Sequence, residues 1–256
     1  MKRKRDEIIE KKTGLKSAIE ELSVLVKLDN KIKIKGCSCS CSSSSTAVTT
    51  PVAATITNNG DGCFVKEVIV SNIPTRPFIS ICSTILHVLD KIGPTMAVLR
   101  QDICKNIQRL EMLNATNPTQ YSYLVEILNK EAVEGNAKKG DTCSKALVWL
   151  TRSLNFTAAL LQKLLIDPRE NMEQIVGEAY EITFKPWHGW ISAAAFRVAL
   201  KLIPDTDTFI SLLKAKDENL DTLKDDIETL ISLLVPLLED LHSILRSHGL
   251  DKLKST

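Results

Sequence analysis

This sequence predicts an all-α fold, and three observations carry that expectation. The chain has 256 residues, 44% of them hydrophobic, with only 10 glycines and 9 prolines. That is enough apolar material for a substantial core and too little turn chemistry for a sandwich or barrel. Apolar residues recur at helical spacing through most of the sequence. From Ile73 onward, Pro77, Pro94, Pro118, Pro168 and Pro186 each stand at the head of an apolar-periodic segment, where the missing N–H wastes no intrahelical hydrogen bond.

The first element is an amphipathic helix in a charged segment, with Leu15, Ile19, Leu22 and Val26 at i, i+4, i+7 and i+11. Residues 1–35 hold eleven Lys/Arg against six Asp/Glu, a net of +5 that leaves −3 for the other 221 residues. A basic arm of this kind is most simply a solvated tail; contact with acidic lipid and a nuclear address are its other readings. Residues 37–62, CSCSCSSSSTAVTTPVAATITNNGDG, have little to bury and read as a disordered linker. Their Cys37, Cys39 and Cys41 are spaced C-x-C with no histidine nearby, which is not the spacing of a zinc site. Reduced thiols are expected, with acylation of the trio as a minor alternative. FVKEVIV is the one short strand candidate and could equally continue as helix.

Beyond it the pattern predicts helices over 77–92, 94–115, 118–134, 142–166, 168–184, 186–203, 206–215 and 219–248, with Asn117 and Asp167 as caps ahead of Pro118 and Pro168. The start MKRKRDEIIEKK lacks the apolar region of a signal peptide, and no apolar run approaches the ~18 residues of a membrane span. The expected location is the cytosol. A net charge of +2 is too small to argue for nucleic acid.

Three groups of residues could carry chemistry. Asp102, Asn106 and Arg109, at i, i+4 and i+7, stack along one helical face; alone, such a row is most often solvated surface. Lys145, Trp149 and Arg152 repeat that register and place a tryptophan within a polar stripe. In FKPWHGW, His188 lies between Trp187 and Trp190 and leads into the apolar run ISAAAFRVALKLI. An imidazole at the mouth of a buried-looking helix is either a hydrogen-bonded helix start or a polar anchor for a greasy ligand. Enzyme readings fare poorly. Asp102 and His188 could pair as base and orienter, but there is no nucleophile elbow, H-E-x-x-H, Walker loop or G-x-G-x-x-G. The four histidines are scattered, so neither a metal nor a cofactor is expected, and no catalytic residue is assigned.

Taken together, D-x₃-N-x₂-R (Asp102, Asn106, Arg109), TNPTQYSYLVEIL, ALVWLTRSLNF and KPWHGWI resemble, in order and spacing, the glycolipid transfer protein family. The resemblance covers about residues 73–250 and leaves 1–72 as an N-terminal extension, as in a plant branch of the family. It implies a two-layer helical sandwich of about eight helices that binds one sphingolipid, with the headgroup at a surface site and the chains in an apolar tunnel. By resemblance, Trp149 is the platform for the first sugar ring. Asp102, Asn106 and Arg109 hydrogen-bond sugar hydroxyls, Asp102 also takes the ceramide amide N–H, and His188 donates to the amide carbonyl. Lys145 departs from the sugar-binding members, whose matching position is usually apolar. In the ceramide-phosphate branch, arginines match 145 and 149 and a lysine matches Asn106.

The physics suits that division of labour. A ceramide has on the order of 30 methylenes, each costing about 0.8 kcal/mol to leave in water, so a carrier must substitute for the bilayer. The expected function is therefore non-enzymatic transfer or sensing of glycosphingolipids by a monomer that touches membranes transiently through Trp187 or Trp190. The alternatives are transfer of ceramide phosphate or inositol phosphorylceramide, and a helical interaction module without transfer activity. A ceramide hydrolase is a distant third.

Overall fold

The computed structural model describes residues 14–35, 72–215 and 218–254. Among them are nine α-helices: α1 (Gly14–Lys35), α2 (Thr75–Ile92), α3 (Ala97–Thr116), α4 (Leu124–Val133), α5 (Cys143–Ile166), α6 (Met172–Thr183), α7 (Trp190–Leu200), α8 (Thr206–Leu213) and α9 (Leu220–Ser247). No strand occurs among the described residues, only an isolated bridge between Pro74 and Tyr123. The C-x-C linker and FVKEVIV lie outside the described residues. The helices form a two-layer sandwich. α1 packs on α2, α2 on α3, α3 on α5, α5 on α9, and α9 back on α1.

The central helix is α5, which contacts α3, α4, α6 and α9. Its residues are apolar nearly all round, with Ala146, Leu147, Leu150, Leu154, Leu161 and Leu164 buried, as expected of a helix enclosed on every side. Its start is fixed electrostatically. The buried Glu131 carboxylate accepts the N–H groups of Cys143 at 2.8 Å and Ser144 at 2.7 Å, placing negative charge where the helix dipole favours it. That contact sets the rotation of α5, and with it the directions of Lys145 and Trp149.

All eight helices expected beyond residue 73 are present, but three begin later than their prolines suggest. Pro118 lies six residues before α4, and Pro168 and Pro186 lie four residues before α6 and α7. The reason is local hydrogen bonding. Asn117 Oδ1 accepts from the Gln120 N–H at 3.1 Å, and Asp167 Oδ1 from the Arg169 N–H at 2.9 Å. Both side chains therefore close Asx-type turns within the loops. The caps lie farther on: Glu126 reaches back to the Tyr123 N–H at 3.0 Å, and Asn171 Oδ1 accepts from Glu173 N–H at 2.8 Å. Pro94 heads a short 3₁₀ turn, Pro94–Met96, ahead of α3. The turn follows Gly93 at φ 105°, a conformation that a Cβ would strain.

Helix α1 lies in the core. Leu15, Ala18, Leu22 and Leu25 are buried in the same cluster as Phe78 of α2 and Leu230 of α9. The buried stripe is shifted from the one read in the sequence, since Ile19 and Val26 are only half-buried. Lys16 Nζ adds ion pairs with Glu218 Oε1 at 2.5 Å and Asp226 Oδ2 at 3.5 Å, joining α1 to the start of α9.

Candidate functional site

Two groups of predicted residues assemble at the α5 side of the sandwich. The first is built by α3 against the turn before α5. Asn106 is buried, 4% exposed, Arg109 is half-buried, and Asp102 is at the exposed end of the row. Arg109 bridges two partners: Nη1 donates to Asn106 Oδ1 and Nη2 pairs with Asp141 Oδ2, each at 2.8 Å. The Asp141 side chain is 83% exposed, so the pair contributes at most about 1 kcal/mol to stability; its effect is to aim the guanidinium. Cys143 Sγ donates to the Arg109 carbonyl at 3.5 Å, which seats the start of α5 beside this row. Desolvation holds the Asp102 pKa above its ordinary value of 3.8; Arg109 and Lys105 oppose the rise and Asp141 adds to it.

The second group is aromatic. Tyr180 on α6, Phe184 at its end and His188 in the following turn are spaced by four residues. His188 has ring centroids around it at 5.1 Å (Phe184), 5.5 Å (Tyr180) and 5.7 Å (Trp149). The Trp187 and His188 N–H groups both return to the Phe184 carbonyl, at 2.9 and 3.1 Å, which folds the turn so that the imidazole points inward. Its Nδ1 is buried with no hydrogen-bond partner among the described residues. Burial, and then the charge of Arg152, push the His188 pKa below its ordinary value of 6.5. The ring is therefore neutral at pH 7, with one nitrogen donating and the other accepting.

Lys145 and Trp149 stand one turn apart on α5, both half-buried. Among the described residues no carboxylate pairs with Lys145. Trp149 also faces Phe184, stacked at 6.4 Å. The two flanking tryptophans part company. Trp187 is half-buried with the Arg152 guanidinium 4.3 Å from its ring centroid, whereas Trp190 is 81% exposed. Trp190 opens α7, a helix with no fully buried residue, which also exposes Ile191 and Val198. α7 is attached through Phe196, stacked on Tyr180 at 3.6 Å and 7° between planes.

The described residues therefore hold a neutral, half-buried imidazole with an unsatisfied nitrogen beside an indole, a row of hydrogen-bonding groups on α3 against the turn before α5, and an exposed apolar helix. Comparison with known proteins decides what kind of protein carries them. The sequence profile of the family described as Glycolipid transfer protein (GLTP) matches residues 73–215. The chain belongs to the glycolipid transfer protein family. Glycolipid transfer protein 3 of Arabidopsis thaliana is 51% identical over 261 residues, spanning 100% of both chains. A solved structure of FAPP2, described as selecting simple glycosphingolipids using the GLTP fold, aligns at TM-score 0.67 and 26% identity, over 73% of this chain and 91% of that one. A point mutant of Arabidopsis ACD11 (accelerated-cell-death 11) complexed with C12 ceramide-1-phosphate aligns at TM-score 0.70 and 15% identity, over 93% of this chain and 98% of that one, a likeness of fold. Membership of the glycolipid transfer protein family makes lipid transfer the activity class of this chain.

Sequence reasoning missed Asp141, Tyr180 and Phe184, and it named Arg152 without giving it a role. Asp141, in a polar loop of NAKKGDT, gives no periodic signal. Tyr180 and Phe184 stand one helical turn apart, a spacing visible in the sequence, but the turn that brings His188 to them after α6 gives no periodic signal. Arg152 was in register with Trp149, but its burial, 5% exposed, runs against the usual fate of arginine.

Proposed function

We propose that this chain binds one ceramide-based glycosphingolipid and carries it between membranes. The observation that supports this reading best is His188: a neutral imidazole buried among Trp149, Tyr180 and Phe184 whose Nδ1 has no partner among the described residues. An unsatisfied buried polar atom costs about 1–3 kcal/mol, and the amide carbonyl of a ceramide supplies the acceptor that the imidazole lacks once its proton sits on that nitrogen. The Asp102 carboxylate takes the amide N–H, so lipids without an amide leave both groups unpaired. Trp149 offers its face to the first sugar, with Asn106 and Arg109 contributing hydrogen bonds to hydroxyls. The hydrocarbon chains enter among the apolar neighbours on these helices, Ile103 and Ile107 of α3 and Leu147 and Leu150 of α5. Trp190 and the exposed side of α7 make the contact with the bilayer, where an indole is at home in the interfacial zone.

The test is transfer of glucosylceramide between donor and acceptor vesicles, with mass spectrometry of the lipid recovered on the protein. Retention and movement of glucosylceramide but not phosphatidylcholine is expected; movement of neither would leave a helical module without transfer activity. One observation favours a second reading. Lys145 places an ammonium, with no carboxylate partner among the described residues, one turn from Trp149, as a headgroup joining phosphate to sugar would require.

A further inference from the structure

The side chain that holds the two tryptophans of the site together is Arg152. Its guanidinium carbon lies 4.8 Å from the Trp149 ring centroid and 4.3 Å from that of Trp187. The residue is 5% exposed, and among the described residues no carboxylate pairs with it. Nη2 donates to the Asp251 carbonyl at 3.2 Å, while Nη1 is buried without an acceptor among the described residues. Burial lowers its pKa to about 10, which leaves it charged at neutral pH. A cation enclosed in this way is attracted by the π faces of the two rings near it, and a planar guanidinium, unlike an ammonium, can stack on such faces.

We infer that Arg152 is the positioning residue of the headgroup site, a buried clamp between Trp149 and Trp187 that fixes the plane of the Trp149 platform. The inference rests on the lipid-headgroup reading above. Three chain segments meet on this one cation: α5 through Trp149, the turn before α7 through Trp187, and the segment after α9 through Asp251. A groove of about 570 Å³ opens beside Trp187, walled by Arg152, Trp187, Asn155, Thr183 and His242, so the cation rather than close packing orients that indole, while Trp149 is held between Arg152 and the rings of Phe184 and His188. His242 leaves the cation uncompensated: its Nε2 is shared with Asn155 Nδ2 at 2.7 Å, and burial with the charges of Arg246 and Arg152 keeps it neutral.

The experiment compares full-length wild type with Arg152→Met, which keeps an apolar stem and loses charge and plane, and with Arg152→Lys, which keeps the cation alone. Near-ultraviolet circular dichroism reports the fixed geometry of the indoles, and vesicle assays follow glucosylceramide and ceramide in parallel. Arg152→Met is expected to weaken the tryptophan bands at unchanged helix content and to lower glucosylceramide transfer about tenfold, ceramide by less, with Arg152→Lys in between. Native tryptophan bands with native lipid preference in Arg152→Met would overturn the inference, as would equal losses for both lipids that track the melting temperature. Should Arg152→Met not fold, Trp187→Leu removes one face of the clamp and keeps the charge. It is expected to change the Trp149 bands and the glucosylceramide preference, and the absence of both changes overturns the proposal. If the wild type moves no sphingolipid, the headgroup reading fails, while the tryptophan bands of the variants still decide the clamp.

Discussion

Replacing His188 with leucine is expected to disable the protein at a small cost in stability. The imidazole is neutral, half-buried, and carries a buried Nδ1 without a partner among the described residues. Removing that unsatisfied atom is worth about 1–3 kcal/mol. Against this stands the loss of ring contacts with Phe184, Tyr180 and Trp149 at 5.1–5.7 Å, about 0.5–1.5 kcal/mol for each pair. Over three pairs the loss exceeds the gain by about 1 kcal/mol, and in a chain of this size each kcal/mol moves Tm by about 2–4 °C. A fall of about 2–4 °C in a circular dichroism melt is therefore expected. Transfer should suffer far more. Losing the hydrogen bond to the amide carbonyl weakens the lipid complex by about 5- to 150-fold, the equivalent of about 1–3 kcal/mol. Vesicle transfer of glucosylceramide, measured beside the melt, checks both effects. A variant that melts roughly 10 °C lower would show that the imidazole is satisfied in the free protein. One that melts as expected and transfers normally would remove His188 from the site.

Further outcomes follow from the same geometry. Asp102→Val should abolish transfer without lowering Tm: the folded carboxyl has a pKa above 3.8, so its ionisation at neutral pH opposes folding. Wild-type transfer should fall with acidity at a higher pH than an ordinary aspartate would give, and a normally active, folded Asp102→Val would refute the assignment. His188 and His242 have folded pKa values below 6.5. The unfolded chain therefore binds more protons in the window below that value, and their contribution is present above it and lost as pH falls through the folded values. A pH series of melts should show this decline, and His242→Asn should flatten it. Leu22→Ala, at a position 0% exposed between α2 and α9, should cost about 2–5 kcal/mol and lower Tm by roughly 10 °C; a shift of only a degree or two would mean that α1 is not part of the cooperative core. Lys145→Leu should depress transfer of inositol phosphorylceramide about tenfold more than that of glucosylceramide, an effect erased by salt. Equal effects on both lipids would return Lys145 to the solvated surface.

Helix type and order were legible in the sequence because apolar spacing reports the buried face directly, and every helix expected after residue 73 exists. The starts at Pro118, Pro168 and Pro186 were not, because a proline signals where a helix is allowed while hydrogen bonds decide where it begins. Asn171 stands immediately before Met172 and is the better signal for α6. The α1 stripe was misplaced for a related reason. Alternative faces of a Leu/Val-rich helix look alike until a neighbour is present, and α2 and α9 select the one with Ala18, where small size permits close approach. At the site, the polar row on α3 and the stripe on α5 could be read as faces. What could not be read was the contact between remote segments: the carboxylate of Asp141 on Arg109, and Trp187 folded back over Arg152.

The pairing of α1 with α9 has a consequence for how the chain is made. The first and last described helices share one interface, with 184 residues between Lys35 and Leu220. At a synthesis rate of about 5–20 residues per second, Leu22 waits roughly 10–40 s after emerging before its α9 partner exists. A contact of such long sequence separation forms late, so the nascent protein presents an open apolar seam along α1 and α5 until α9 clears the ribosome. Protease digestion of ribosome-bound chains stalled before and after α9 would show α1 becoming protected only in the longer ones, and protection in the shorter ones would contradict this order of assembly.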